Sequence, residues 1–172
     1  MRYLKMLLVV VLVCVLVACG QKSDTVYMEK EGTLYEIKDL VSFYYPKTFI
    51  VNQDNEDVIQ FTNENELFSY TTRRDDFDNE VEDMPELYRG ELEENGAENI
   101  KEQEVELDSA IVCHEFSGQY VATGIQFKHL VYFTRDAVFI YVYQAPQDVY
   151  EENIHEMTQY LRTLTVNKEE VS

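Results

Sequence analysis

Val138-Phe139-Ile140-Tyr141-Val142-Tyr143 runs six residues without a charge or an amide, and its two side-chain sets alternate. Val138, Ile140 and Val142 point one way, Phe139, Tyr141 and Tyr143 the other, because successive residues of a strand face opposite sides of a sheet. A strand apolar on both faces belongs at the centre of a sheet covered on both sides. Downstream, past Pro146, Asp148 and Glu151 form a capping-box pattern. Tyr150, Ile154, Met157, Leu161 and Leu164 then recur at helical spacing, an apolar stripe that must dock on that sheet. Upstream, Ala110 to Tyr120 and Ile125 to Phe133 read as two long strands paired around Ala122-Thr123-Gly124. The fold class is α+β: a central antiparallel β-sheet flanked by helices.

Further outward, Ile100 to Leu107 carries Lys101, Glu102, Glu104 and Glu106, charge that suits an exposed edge and discourages pairing with another chain. Before it, Asp83 is a candidate N-cap with Glu86 three residues on and Pro85 in the first turn. Met84, Leu87, Tyr88 and Leu92 are expected on one helix face, and Gly96 as the stop. Val58 to Thr62 and Leu67 to Thr72 read as strands joined by Asn63 to Glu66. Leu34 to Ile37 and Val41 to Tyr45 read as an earlier pair, stopped by Pro46 and closed by Phe49 to Val51. Asn52 to Asp57 and Arg73 to Glu82 are expected as acidic loops.

The chain has 172 residues, 14 basic and 33 acidic, a net charge of −19. Such acidity repels nucleic acid and anionic lipid headgroups, so no nucleic-acid partner is expected. An aromatic content of 13% and continuous apolar strands argue against disorder. At the N-terminus, Arg2 and Lys5 precede an apolar run from Met6 to Ala18, closing on Leu16-Val17-Ala18-Cys19. The run is shorter than the roughly 20 residues a membrane span needs, and within the roughly 7–15 of a signal-peptide core. The Leu-Val-Ala-Cys close resembles the lipobox of bacterial lipoproteins. That resemblance implies cleavage before Cys19, a diacylglyceryl thioether with palmitate-type acyl chains on its sulfur, and a cell-membrane anchor on the extracytoplasmic face. Two chains suffice for stable anchoring, at about 0.8 kcal/mol per buried methylene. Loss of Arg2 and Lys5 with the leader would take the net charge from −19 to −21. The expected division is a signal peptide over 1–18, a lipidated Cys and polar tether over 19–32, one domain over 33–168 and a tail over 169–172. With Cys14 removed and Cys19 modified, Cys113 has no disulfide partner within the domain.

An aromatic strand ending in Tyr45-Pro46, an aromatic at Phe49, a mid-chain helix, long antiparallel strands and a last amphipathic helix together resemble the PsbP-like fold. That fold is shared by an extrinsic photosystem II protein, a Ran-binding nuclear import factor and many small bacterial lipoproteins. The family often has Trp where Phe49 stands. The resemblance spans Leu34 to Val166 and implies an α/β/α sandwich, with no common catalytic residues. A cystatin-like sheet on one helix is the alternative fold.

No catalytic constellation emerges from the residues. His114, His129 and His155 lack metal-ligand spacing. Alternation sets His114 with Val112 and Phe116, and His129 with Val131 and Phe133, as partly buried hydrogen-bonded residues; pairing of their strands would let them approach. His155 is expected on the polar side of its helix. Cys113 and His114 are strand neighbours on opposite faces and cannot share a proton. There is no Gly-x-Ser-x-Gly elbow or phosphate-cradling glycine loop, and no cofactor is expected. Within the acidic run, Asp75, Asp76, Asp78 and Glu80 are weak metal candidates, oxygen-rich but without EF-hand spacing. Phe77 stands out there as a possible contact, and Tyr132, Phe139, Tyr141 and Tyr143 would bind a ligand if they lined a concave surface. The leading expectation is a lipid-anchored, extracytoplasmic, non-enzymatic domain that binds a protein partner or an envelope ligand. A calcium-dependent module using the 75–83 loop is the second reading, and an envelope hydrolase a distant third.

Overall fold

A computed structural model describes residues 28, 30–38, 40–54, 58–74 and 80–167. Seven antiparallel strands form the main sheet. These are β3 (Ile50–Asp54), β4 (Val58–Asn63), β5 (Glu66–Arg74), β6 (Ala97–Glu106), β7 (Val112–Tyr120), β8 (Ile125–Phe133) and β9 (Ala137–Pro146), in the order β3-β4-β5-β9-β8-β7-β6. A second sheet joins β1 (Gly32–Ile37), β2 (Val41–Pro46) and the short β10 (Thr165–Val166) in the order β1-β2-β10. Among the described residues, two helices follow the first strands, α1 (Met84–Glu94), after a 3-10 turn at Val81–Asp83, and α2 (Gln147–Leu161), while Met28, Lys30 and Glu31 are also helical.

β9 lies between β5 and β8, and each residue from Ala137 to Tyr143 is buried, as its double-sided apolar pattern requires. Phe139, Tyr141 and Tyr143 enter a core closed by α2 and the three-stranded sheet. There Phe43 sits 4.5 Å from Tyr141, ring centre to ring centre, and the Tyr141 hydroxyl donates to Tyr44 O at 2.9 Å. Val138, Ile140 and Val142 enter a second core beneath α1, with Phe116, Phe127, Val131 and Phe133. The sheet is thus covered on both faces, which excludes the cystatin-like arrangement of a sheet on one helix. Over β4 and β5 the α1 side of the sheet carries Gln60, Thr62, Ser69 and Thr71, all half-buried.

Three local expectations give way to tertiary structure. Asp83 has helical φ/ψ (−88°, −16°) as the last residue of the 3-10 turn, so its carboxylate makes no cap and the box with Glu86 does not form. The box at Asp148 and Glu151 is also absent: Pro146 occupies the N-cap, and Glu151 instead accepts from Gln147 Nε2 at 2.9 Å. Leu87 is 48% exposed, and the buried stripe of α1 is Met84, Tyr88 and Leu92, stepping by four. Gly96, with φ +84°, ends α1 as expected, its N–H meeting Glu93 O at 2.9 Å.

Two segments belong elsewhere than expected. Ile50 and Val51 open β3 in the main sheet instead of closing the β1–β2 unit, and Asn52 to Asp54 continue that strand instead of looping. Met28, in the stretch expected to be a polar tether, is fully buried in the α2-side core. Cys19, the leader, residues 75–79 of the acidic loop and the 169–172 tail lie outside the described residues.

Candidate functional site

Of the aromatic residues singled out as possible contacts, Phe139, Tyr141 and Tyr143 are at most 1% exposed, so they line no concave surface. Tyr132 is half-buried and stacks on Phe139 at 6.0 Å. Phe77, Asp75, Asp76 and Asp78 lie outside the described residues, and Glu80 is exposed. No group of acidic, His or Cys side chains among the described residues is arranged to hold a metal.

His114 and His129 share one face but not one site. The register pairs His114 with Val131 and Phe116 with His129, a diagonal arrangement on the α1 side of the sheet. His114 Nδ1 lies 3.0 Å from Glu102, which also accepts from Arg89 Nη2 of α1 at 2.9 Å. Burial alone would raise the Glu102 carboxyl, but the bonds from Arg89 and His114 hold it below its ordinary range. His129 is 5% exposed, and its Nδ1 shares a hydrogen bond with the Tyr88 hydroxyl at 2.8 Å. Its Nε2 is, among the described residues, the one buried side-chain polar atom without a partner. Burial, assisted by the charge of Arg73, pushes its pKa down to about 3. Phe116 and Phe127 rings flank the two imidazoles. His155 is exposed on α2, as expected.

On the opposite face, Glu115 is 3% exposed and fully engaged. Its carboxylate accepts from Arg162 Nε at 2.7 Å and Gln103 Nε2 at 2.6 Å, with Lys128 Nζ at 3.6 Å. Burial works to raise its pKa, yet Arg162, Lys128 and Gln103 together hold it below the ordinary carboxylate range. This cluster ties β6, β7 and β8 to the end of α2, and sequence reasoning missed it because its members are scattered along the chain. Cys113 is completely buried, and burial followed by the nearby Glu115 charge pushes its thiol up to about 12, leaving it an inert core residue.

Beyond Glu115, the same face opens into a polar groove between the first turns of α2 and the β6–β8 edge. Its volume is about 260 Å³, and Asn99, Lys101, Ser117, Gln119, Gln126 and Tyr150 line it. The register opposes Lys101 to Ser117 and Gln119 to Gln126, which sets these four in two rows on one face. A bulge between Glu98 and Lys101, with Asn99 at φ +56°, makes room at the edge. A smaller hollow of about 100 Å³ on the other face lies between Arg73, Leu87, Tyr88 and Phe133.

The two sheet edges differ. β6 carries Glu98, Lys101, Glu102, Glu104 and Glu106 along ten residues. β3 begins Ile50-Val51-Asn52-Gln53 without a charge, and Ile50 and Val51 are 69% and 43% exposed. Sequence reasoning missed this edge by assigning Ile50 and Val51 to the other sheet.

Comparison with known proteins places the architecture. Its three-dimensional structure is similar to the solution structure of cyanobacterial PsbP (CyanoP) from Synechocystis sp. PCC 6803, with a TM-score of 0.58, 14% identity, 80% of this chain covered and 94% of that one. A crystal structure from Bacteroides thetaiotaomicron VPI-5482 overlaps less well, with a TM-score of 0.46, 15% identity, 81% of this chain covered and 50% of that one. No protein-family model and no curated protein matches the sequence. The chain therefore has the PsbP-like α+β fold that the order of its elements implied.

Proposed function

We propose that this chain is a non-catalytic, extracytoplasmic binding domain, held at the cell membrane by a lipid on Cys19, that engages a protein partner through the β3 edge. The observation that carries the reading is the contrast between the edges: β6 carries charge along its length, whereas β3 exposes Ile50 and Val51 in a stretch whose first four residues carry none. Open edges invite strand addition unless charge, proline or cover blocks them. The register continues Ile50 into Thr62 and Leu67 on the half-buried α1 side of β4 and β5, giving an incoming strand side-chain contacts as well as backbone ones. A net charge of −19, with Asp54, Glu56, Asp57 and Glu64 close in sequence, favours a basic extended segment and opposes a second copy of the chain. The absence of catalysis is supported by how the reactive groups are occupied. Among the described residues, His129 and Cys113 are sealed in the cores, His114 is paired with Glu102, and Glu115 is saturated by three partners.

A photocrosslinking amino acid placed at Ile50 in the membrane-attached chain tests the proposal, with the same probe at Glu104 on β6 as the control. Position 50 should yield one discrete crosslinked species, absent from position 104 and lost with Val51→Lys. Equal products from both edges, or none from position 50, would refute the edge as the docking site.

A further inference from the structure

The groove beside α2 lies at the end of the sheet opposite to β3, so what it binds is independent of the strand-edge reading. Among the described residues, the side chains of Asn99, Lys101, Ser117, Gln119 and Gln126 form no hydrogen bond or ion pair, although they converge on one hollow of about 260 Å³. Elsewhere on this face the two buried carboxylates are saturated. Glu115 has three partners, and Glu66 accepts from Tyr143, Asn153 and Asn63. The groove thus gathers five side chains with unused donors and acceptors on a face whose buried carboxylates are fully engaged.

The lining selects the chemistry. Three carboxamides and a hydroxyl each offer donors and acceptors together, the complement of neighbouring hydroxyl groups. An apolar ligand would strip water from these groups and leave them unpaired, which is unfavourable. Lys101 is the one cation of the lining, with no arginine; a phosphate or other polyanion would lack the fork-like guanidinium donors it pairs with best and would meet the field of a chain at −19. A single carboxylate can use Lys101. Tyr150, 8% exposed, closes the inner end of the groove and is fixed there, its ring stacked on Tyr143 at 5.7 Å and 16° and its hydroxyl donating to Phe127 O at 3.1 Å. The volume lies just below the roughly 300–1,000 Å³ of drug-sized sites, which fits one ring and not a chain of them. From this we infer that the groove is a binding site for a monosaccharide-sized, hydroxyl-rich ligand bearing one carboxylate, a sugar acid.

Saturation-transfer NMR on the full chain in detergent, with glucuronate, glucose and inorganic phosphate as probes, tests the site. Glucuronate should give a saturable signal, glucose a weaker one, and phosphate should not displace either. Lys101→Met, a change at an exposed position, should lower glucuronate affinity about fivefold, the scale of an exposed ion pair, and leave glucose unaltered. Gln126→Leu should abolish both. Absence of saturable binding by both sugars, insensitivity to both variants, or displacement of glucuronate by phosphate would each overturn the assignment.

Discussion

Acidification should destabilise this protein through His129, beginning well above the pH at which carboxylates titrate. The imidazole is sealed between α1 and the sheet, its Nε2 has no partner among the described residues, and its pKa is about 3 against 6.5 for an ordinary histidine. The unfolded chain thus binds a proton near pH 6.5 that the folded chain refuses until about pH 3, so stability is fully present above 6.5 and falls as pH drops towards 3. Each pH unit in that window is worth about 1.4 kcal/mol, and going from pH 7.5 to 5.0 should therefore cost about 2 kcal/mol from this residue alone. The groups facing it work in the same direction: Arg73 opposes a second positive charge, and the Tyr88 hydroxyl bonds the neutral ring. Urea unfolding of residues 20–172, followed by far-UV circular dichroism from pH 7.5 to 5.0, measures the slope, with His129→Gln as the comparison. Wild type should lose about 2 kcal/mol more than the variant over that range, whatever the variant's stability at pH 7.5. Parallel profiles would refute the reasoning, because they would mean His129 takes up its proton in the folded state.

Other consequences follow from particular contacts. Arg162→Ala should destabilise by about 2 kcal/mol at pH 7 by leaving the buried Glu115 without its 2.7 Å bond. Because Glu115 is held below the ordinary carboxylate range, that deficit should shrink as pH falls below about 4 and the carboxyl is protonated; urea melts at pH 7 and 3.5 compare the two. Gly118→Ala should cost about 1–3 kcal/mol, since a Cβ there would lie 2.8 Å from Phe127 Cζ and 2.9 Å from the Glu98 carbonyl, and its melting midpoint reads this directly. In residues 20–172 the buried Cys113 thiol should resist maleimide until the domain unfolds, and labelling at native-state rates would contradict its place in the core. Cys19→Ser should leave the fold unaltered and release the chain from the membrane; undiminished membrane recovery would contradict lipid anchoring.

Patterns local to one element were readable from the residues. The alternation of Val138 to Tyr143 located the central strand, the stripe from Tyr150 to Leu161 its covering helix, with Leu164 buried just past the helix end, and the charges of β6 an edge. Alternation says that Phe139, Tyr141 and Tyr143 share one covered face but not what lies over it, so the second sheet that closes over them beside α2 was not legible. The division into two sheets was hidden for the same reason: β2 and β3 are separated by three residues, yet β2 pairs with β1 and β10 while β3 crosses to β4. Both capping boxes failed because helix entry was set elsewhere, by the Val81–Asp83 turn and by Pro146 following directly on β9. The Glu115 cluster and the groove depend on residues far apart in the chain, such as Arg162 meeting Glu115 across 47 positions. One local trace existed: an Asn placed at the start of a charged strand tolerates the left-handed conformation that opens the bulge at Asn99.

Amide hydrogen exchange of the full chain, attached to its native membranes and again after detergent extraction, reads strand addition at β3 most directly. Docking through this edge predicts that amides of Ile50–Asp54 exchange more slowly on the membranes than after extraction, while those of Ala97–Glu106 do not change. Unchanged exchange at β3, or equal protection of both edges, would contradict it.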